Sequence, residues 1–322
     1  MYLSMKKITL FSAFMLTFTL HLSAQKVLDA TETVKEMDKT KEKAGWTRVG
    51  GIGLDFSLLS LINPRSGAGD NRFGFGGLLT YQANLKRNKL VCDNKFGVQL
   101  AVAKIGNDAY TKANDVLQVT TQIGYKIDTA GKWYIGGLGD FQSQFLPTYG
   151  VNYLKETVNN KKESLTGKFL SPAIFKLAPG IIHKPNKNLT FLFSPVALKM
   201  VIVMDDTLAA SGKFFPTEKN KNIDFQLGAE LRADFTKKFF NDKLLYTTTF
   251  DIYSNYLRDP QNMAVEWYNS LDFMVFKNIS VNLKTDWFYD HNILVYKDGD
   301  ANQPTRNVFF RNALLMKYAK TF

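Results

Sequence analysis

Apolar and polar residues alternate one for one through much of this chain. The clearest stretch is 223 to 235. Ile223, Phe225, Leu227, Ala229, Leu231, Ala233 and Phe235 fall on one side. Asp224, Gln226, Gly228, Glu230, Arg232 and Asp234 fall on the other. Successive side chains of a β-strand point to opposite faces, so this period of two predicts a strand with one apolar and one polar face. The same alternation sets Leu244, Tyr246, Phe250, Ile252 and Tyr256 against Thr247, Thr249, Asp251 and Asn255. It recurs in 279 to 290, where Ile279, Val281, Leu283, Trp287 and Tyr289 oppose Ser280, Asn282, Lys284, Asp286 and Asp290.

About twelve such segments are expected, near 46–60, 72–86, 89–103, 114–128, 132–146, 167–183, 188–204, 221–237, 243–257, 264–276, 279–291 and 307–322. Most are longer than the five or six residues usual in soluble strands. A tilted strand crosses a bilayer in about 9–11 residues. The connections alternate in length. Short ones fall at Arg87-Asn88, 129–131, 184–187, 238–242 and Lys277-Asn278; long ones at 61–71, 104–113, 147–166, 205–220, 258–263 and 292–306. Outer-membrane barrels join their strands by short periplasmic turns and longer extracellular loops. The pattern therefore predicts an all-β fold: a transmembrane, antiparallel, up-and-down barrel of about twelve strands, with both termini in the periplasm.

The first 45 residues do not alternate. Lys6 and Lys7 precede an uncharged apolar run from Ile8 to Leu22, and Ser23-Ala24-Gln25 supplies small residues for cleavage. This predicts a signal peptide over 1–24. Residues 25–45 are dense in both charges and predict a helical or flexible periplasmic arm, a candidate for holding a partner. The barrel would occupy 46–322.

Composition agrees with an exported, lipid-facing barrel. Aromatic residues make up 14% of the 322, with 26 Phe and 14 Tyr, yet 22% of residues are charged. The mature chain holds no apolar run long enough for a membrane helix. A lone cysteine, Cys92, excludes an intrachain disulfide. The formal charge is +12, or +10 without Lys6 and Lys7. In an exported protein this excess points away from nucleic acid. It is expected to spread over turns and loops, and to favour contact with anionic lipid and lipopolysaccharide.

The last segment sets Val308, Phe310, Leu314, Met316, Tyr318 and Phe322 against Arg311, Ala313, Lys317, Ala319 and Thr321. Tyr318 and the terminal Phe322 resemble the signal read by the outer-membrane assembly machinery, which makes that machinery an expected partner. Further motifs are Asn63 to Asn71 with its glycines, Asn114-Asp115 leading to Gly124-Tyr125-Lys126 and Trp133-Tyr134, Asp140 to Phe145, and Phe169 to Ala173 followed by Lys184-Pro185-Asn186 and Ser194-Pro195. Together they resemble an uncharacterised family of outer-membrane barrels, a domain of unknown function common in Bacteroidota. The family's usual Trp after the first Asn is Pro64 here, and its Gly-Gly is Gly67-Ala68-Gly69. The resemblance spans roughly 45 to 322. It implies a barrel and a location, and no activity.

Candidate chemistry is sparse. His183 and His291 fall at predicted opposite ends of the barrel, which excludes a shared two-histidine metal site. His291 stands beside Asp286, Asp290 and Asn292, and an Asp–His pair can activate water. A barrel phospholipase would need a serine partner, and no serine motif stands near. Asp205-Asp206 and the run Asp298, Asp300, Asn302 could offer oxygens to calcium, but no complete loop motif follows. The glycine-rich stretches match no phosphate-binding pattern. No catalytic residue, metal site or cofactor is expected. Trp133, Trp267 and Trp287 are expected in interfacial aromatic girdles.

Parity turns ten charged residues toward the lumen: Asp224, Glu230, Arg232, Asp251, Glu266, Asp272, Lys284, Asp286, Arg311 and Lys317. Buried charges must pair or stay hydrated. The lumen is thus either a narrow aqueous channel or a space closed by ion pairs or by the loops 147–166 and 205–220, which carry Lys161, Lys162, Lys213, Lys219 and Lys221. A narrow channel for small solutes is the first expectation. A structural or partner-binding barrel with a plugged lumen is the second, and a barrel hydrolase the third.

Overall fold

The computed structural model describes residues 44–62, 72–104, 110–150, 152–153, 157–158, 161–214, 217–296 and 304–321. The predicted signal peptide, nearly all of the predicted arm, the Asp298–Asn302 run and Phe322 lie outside the described residues.

Twelve long strands close into one ring. In chain order they are β1 (Gly45–Ile62), β2 (Arg72–Arg87), β3 (Leu90–Lys104), β4 (Thr111–Lys126), β5 (Trp133–Ser143), β6 (Ala173–Asn186), β7 (Leu189–Ile202), β8 (Ile223–Phe239), β9 (Leu244–Asn255), β10 (Ala264–Phe276), β11 (Ile279–Asp290) and β12 (Phe309–Thr321). Each pairs antiparallel with its sequence neighbours, and β12 pairs with β1 to close the ring. Closure gives every strand two hydrogen-bonded neighbours and leaves no open edge. In hydrocarbon an unpaired backbone group is costly, and a closed barrel avoids it. Among the described residues no helix is long and apolar enough to cross a membrane, which says nothing of strands.

The start of β1 and the end of β12 lie at one rim, together with the five short turns; we call this the turn rim. The six longer connections leave the opposite, or loop, rim. The strands are steeply staggered between the two. One row of cross-strand partners runs from Trp133, the first residue of β5, through His183, Phe191, Ala233, Phe250, Trp267, Trp287 and Phe310 to Ile62, the last residue of β1. A single row thus climbs from the turn rim to the loop rim, as barrel closure with tilted strands requires.

A bulge in β7 interrupts two ladders. An extra residue between Ser194 and Ala197, around Pro195, shifts the register of β7 against both β6 and β8, while β6 runs past Pro179 in unbroken register with β5. Proline has no N–H for the ladder, so a bulge absorbs it. The orphaned carbonyls are met by side chains: Ser194 Oγ donates to Pro179 O at 2.6 Å, and Tyr256 OH to Pro195 O at 3.0 Å. Close backbone approach also sets a glycine requirement at Gly228, where a Cβ would lie 1.9 Å from the Ser254 carbonyl oxygen.

The expected strand 167–183 begins later, at Ala173. Residues 168–171 instead form a tight bend, closed by reciprocal bonds between Lys168 and Ser171 at 2.9 Å. Leu170 adopts positive φ there, and the Ser171–Pro172 bond is cis. The loop rim also carries short strand pairs in the β5–β6 connection and a single-turn helix, α1 (Asp206–Ala210).

Candidate functional site: the barrel interior and its two rims

The outer surface is apolar where the alternation places it. Ile123, Ile135, Phe193, Phe225 and Leu314 are all exposed, and their inward neighbours are not. Contiguous apolar surface of this extent is rare on soluble proteins. Trp267 lies 4.9 Å from Trp287, which lies 5.0 Å from Phe310, all edge-to-face and near the loop rim. Trp133 lies at the turn rim, stacked on His183 at 3.9 Å. Tyr318 is outward and exposed.

Inside, the charged residues form pairs. Lys176 of β6 reaches over β7 to Glu230 at 2.9 Å and on to Asp251 of β9 at 3.2 Å. Arg232 binds Asp234 through two nitrogens, at 2.8 and 2.9 Å, and Asp234 accepts from the Thr249 hydroxyl at 2.7 Å. Arg311 pairs with Asp286 across the β11–β12 ladder. Glu266 accepts from Tyr268 OH at 2.7 Å. Asp224 lies near the loop rim, where Gln226 donates to it at 2.8 Å and Arg258 stands at 3.7 Å. Asp272 is buried opposite Asn282, Lys284 is buried opposite Ser270, and Lys317 is buried in register with Ser280 and Asp55. Of the ten residues singled out by parity, Glu230, Arg232, Asp251, Asp272, Lys284, Asp286 and Lys317 are buried, and Asp224, Glu266 and Arg311 are half-buried.

The walls differ in chemistry. On β2 to β5 the buried inner residues are chiefly amides and hydroxyls, including Thr80, Gln82, Gln99, Gln118 and Gln142. Among the acids of this wall, Asp140 takes two bonds from Gln118 Nε2 at 3.1 and 3.2 Å, and Asp115 pairs with Lys112 at 3.4 Å. The wall from β6 to β12 holds most of the ion pairs. Burial of this inner polar surface is extreme: Glu230 is 1% exposed and Asn282 0%. In a wide aqueous pore such side chains would be in contact with water.

The interior also holds an apolar cluster that was not among the residues named from sequence. Tyr134, Leu138, Ala178, Ile182, Leu192 and Ala197 of β5 to β7 form a buried apolar cluster with Tyr253 of β9. Ile182 and Leu192 are each 1% exposed. On β5 and β6 these residues keep the period of two, on the same face as Asp140, Gln142 and Lys176, whereas the bulge between Ser194 and Ala197 switches the inward parity within β7 from Leu192 to Ala197.

The loop rim is knit together. Asp205 caps α1 by accepting from Leu208 N at 3.0 Å and pairs with Lys168 at 2.5 Å. Lys168 is the main reason its carboxyl lies below the ordinary value, helped by the Leu208 and Thr207 amides. The neighbouring Asp206 accepts from Asn222 Nδ2 at 3.0 Å. Both carboxylates of the Asp205-Asp206 pair considered for calcium are therefore engaged by protein groups. Val203, Leu208, Ala209 and Phe214 pack with Leu165, joining the two loops that the sequence offered as plugs. Lys112 holds the β5–β6 connection by donating to Gln144 at 2.7 Å and Thr148 at 2.8 Å. His291 lies at this rim with Nδ1 3.2 Å from Tyr289 OH, and His183 at the turn rim, so they stand at opposite ends. Among the described residues no group of three or more His, Cys, Asp or Glu side chains could hold a metal.

These features define a class: a closed antiparallel barrel, apolar outside and polar within, of the outer-membrane type. A family model described as "Protein of unknown function (DUF3078)" matches residues 56–149. No curated protein matches the chain. Among solved structures the chain is similar to an outer membrane channel from Pseudomonas putida F1, at 11% identity and a TM-score of 0.39, covering 86% of this chain and 96% of that one. It is also similar to the translocator domain of the autotransporter NalP from Neisseria meningitidis, at 9% identity and 0.37, covering 90% and 97%. A third is the NanC porin, at 9% and 0.38, covering 83% and 98%. At these values none sets an activity for this chain, and the twelve-strand ring stands on its own hydrogen-bond ladders.

Proposed function

We propose that this protein is a bacterial outer-membrane barrel with a closed lumen, acting as a structural or partner-binding element through its rims and loops. The apolar cluster inside the lumen carries this reading. Tyr134, Leu138, Ala178, Ile182, Leu192 and Ala197 of β5 to β7 and Tyr253 of β9 form one buried cluster along the inner wall. An apolar cluster gains nothing from lining a water column, whereas it closes a lumen well. The buried ion pairs act in the same sense, since each partner answers the other's desolvation. The turn rim is assigned to the periplasm and the loop rim to the outside, from the lengths of the connections. The outward final strand with Tyr318 is assigned to recognition by the assembly machinery, and residues 25–45 to a periplasmic partner. No catalytic role is assigned to His291, which faces a phenol.

Planar-bilayer recording of the purified protein is the test. The closed reading expects no steady conductance. A persistent open state in the unmodified protein would overturn it and favour the second reading, a narrow channel for small solutes. The amides and hydroxyls on β2 to β5 support that second reading, because they offer a passing polar solute hydrogen bonds.

A further inference from the structure

The basic excess is not shared evenly between the two rims, contrary to the spread expected from sequence. The β2–β3 turn carries Arg87 and Lys89, and the β4–β5 turn carries Lys132. The β6–β7 turn carries Lys187, the β8–β9 turn Lys243, and the β10–β11 turn Lys277. All six are exposed. Acid groups there are few and occupied. Asp93 is paired with Lys184 at 3.7 Å, and Asp128 accepts from the Lys132 and Trp133 amides at 3.0 Å. Asp242 is the exposed exception. At the loop rim Lys168, Lys221 and Arg258 have carboxylate partners among the described residues, while Lys213 and Lys219 are exposed like the turn lysines.

A second observation marks the same rim. Phe240 and Phe276 are 73% and 68% exposed, the highest of the large apolar side chains described. They lie on neighbouring turns, tied by the Met274 N bond to Lys243 O at 2.8 Å, and they stand beside Lys243 and Lys277. In water this pairing of bare aromatic rings and free ammonium groups would be unfavourable. At a lipid interface each half has a place: rings at the acyl boundary and ammonium groups at the phosphates.

We infer that the turn rim is a basic collar that gathers anionic phospholipid, of the phosphatidylglycerol type, around the barrel in the leaflet it faces. Fixed positive charge near a membrane surface attracts acidic headgroups, and salt weakens the attraction. The collar rests on the membrane placement proposed above.

The test uses the full chain in mixed vesicles of phosphatidylcholine and phosphatidylglycerol, with either lipid spin-labelled, to measure which one the barrel's boundary selects. The expected result is several-fold selection of phosphatidylglycerol that fades at high salt. It should fall toward none in a variant with Lys132→Gln, Lys187→Gln, Lys243→Gln and Lys277→Gln, and hold with Lys213→Gln, Lys219→Gln and Lys221→Gln at the loop rim. Absence of selection in the unmodified protein overturns the collar, as does selection that survives the turn-rim changes. If glycerol phosphate in solution abolishes the selection at modest excess, the rim is a phosphate site and the lipid assignment fails. A chain that does not insert at all sinks the membrane placement itself. Salt dependence of the unmodified barrel keeps the test decisive if the quadruple variant does not fold.

Discussion

Lys176 donates to Glu230 at 2.9 Å across a whole intervening strand, and the same ammonium reaches Asp251 at 3.2 Å. One cation thus binds β6 to β8 and β9 inside the barrel. Glu230 and Asp251 are neighbours diagonally across the β8–β9 ladder, with Tyr253 directly opposite Glu230 and Arg232 directly opposite Asp251. Without Lys176 the two carboxylates would be held close together in a dry interior.

Lys176→Met is therefore expected to destabilise the barrel by roughly 3–5 kcal/mol, the cost of stranding a buried charge. Adding Glu230→Gln and Asp251→Asn to it should recover much of the loss, since all three charges then go together. Urea unfolding in detergent, followed by the folded band on unheated gels, measures both steps. A single variant as stable as the parent would show that Lys176 contributes little.

Gly228→Val should impair folding, because its Cβ would meet the Ser254 carbonyl oxygen at 1.9 Å. The strands must part locally, at about 1–3 kcal/mol or more. Gly139→Ala is the matched control, as its nearest neighbour is the Thr121 oxygen at 3.9 Å. The two variants should differ in yield of folded barrel and in unfolding midpoint.

The Asp128 carboxyl is held below its usual value of 3.8, first by the Trp133 amide and then by Lys132 and other backbone groups of the turn. A lowered folded pKa gives stability that is fully present above 3.8 and is lost as pH falls through the folded value. Amide exchange at Lys132 and Trp133 should therefore be slow and flat at neutral pH, and its protection should drop only in strong acid. Asp128→Asn should weaken that protection at neutral pH. Unchanged exchange in the variant would show that the turn does not depend on the carboxylate.

Trp267 and Trp287 face outward in one aromatic row with Phe250 and Phe310. Vesicles of brominated lipid should quench their emission strongly, and a Trp267→Phe, Trp287→Phe double variant should lose most of the lipid-quenched signal from the loop-rim side. Emission insensitive to brominated lipid would contradict an outward, lipid-facing row.

Much of the barrel is legible in sequence because its signal is local. Period two in 223–235 and 279–290 needs only neighbouring residues to be read, and it assigns Glu230, Arg232 and Asp286 to the inner face. The alternation of short and long connections is equally plain, and it yields twelve strands and two unlike rims. The N-terminal start of β6 was not legible. Gly167 to Leu170 look like strand residues, but their chain turns at Lys168–Ser171 before the ladder begins.

Taken alone, the sequence determined the period, the strand number and the identity of each face, because a strand's two sides are set by its own backbone geometry. Only the tertiary structure decided which charges meet, since Lys176 and Glu230 come together through the closure and stagger of strands distant in the chain. It also decided that Ala197 joins Leu192, Ile182 and Tyr253 in one buried cluster, because the bulge around Pro195 resets the inward face within β7. The gathering of the turns' lysines into one collar has the same cause. Residues far apart along the chain become neighbours at a rim only when the ring closes.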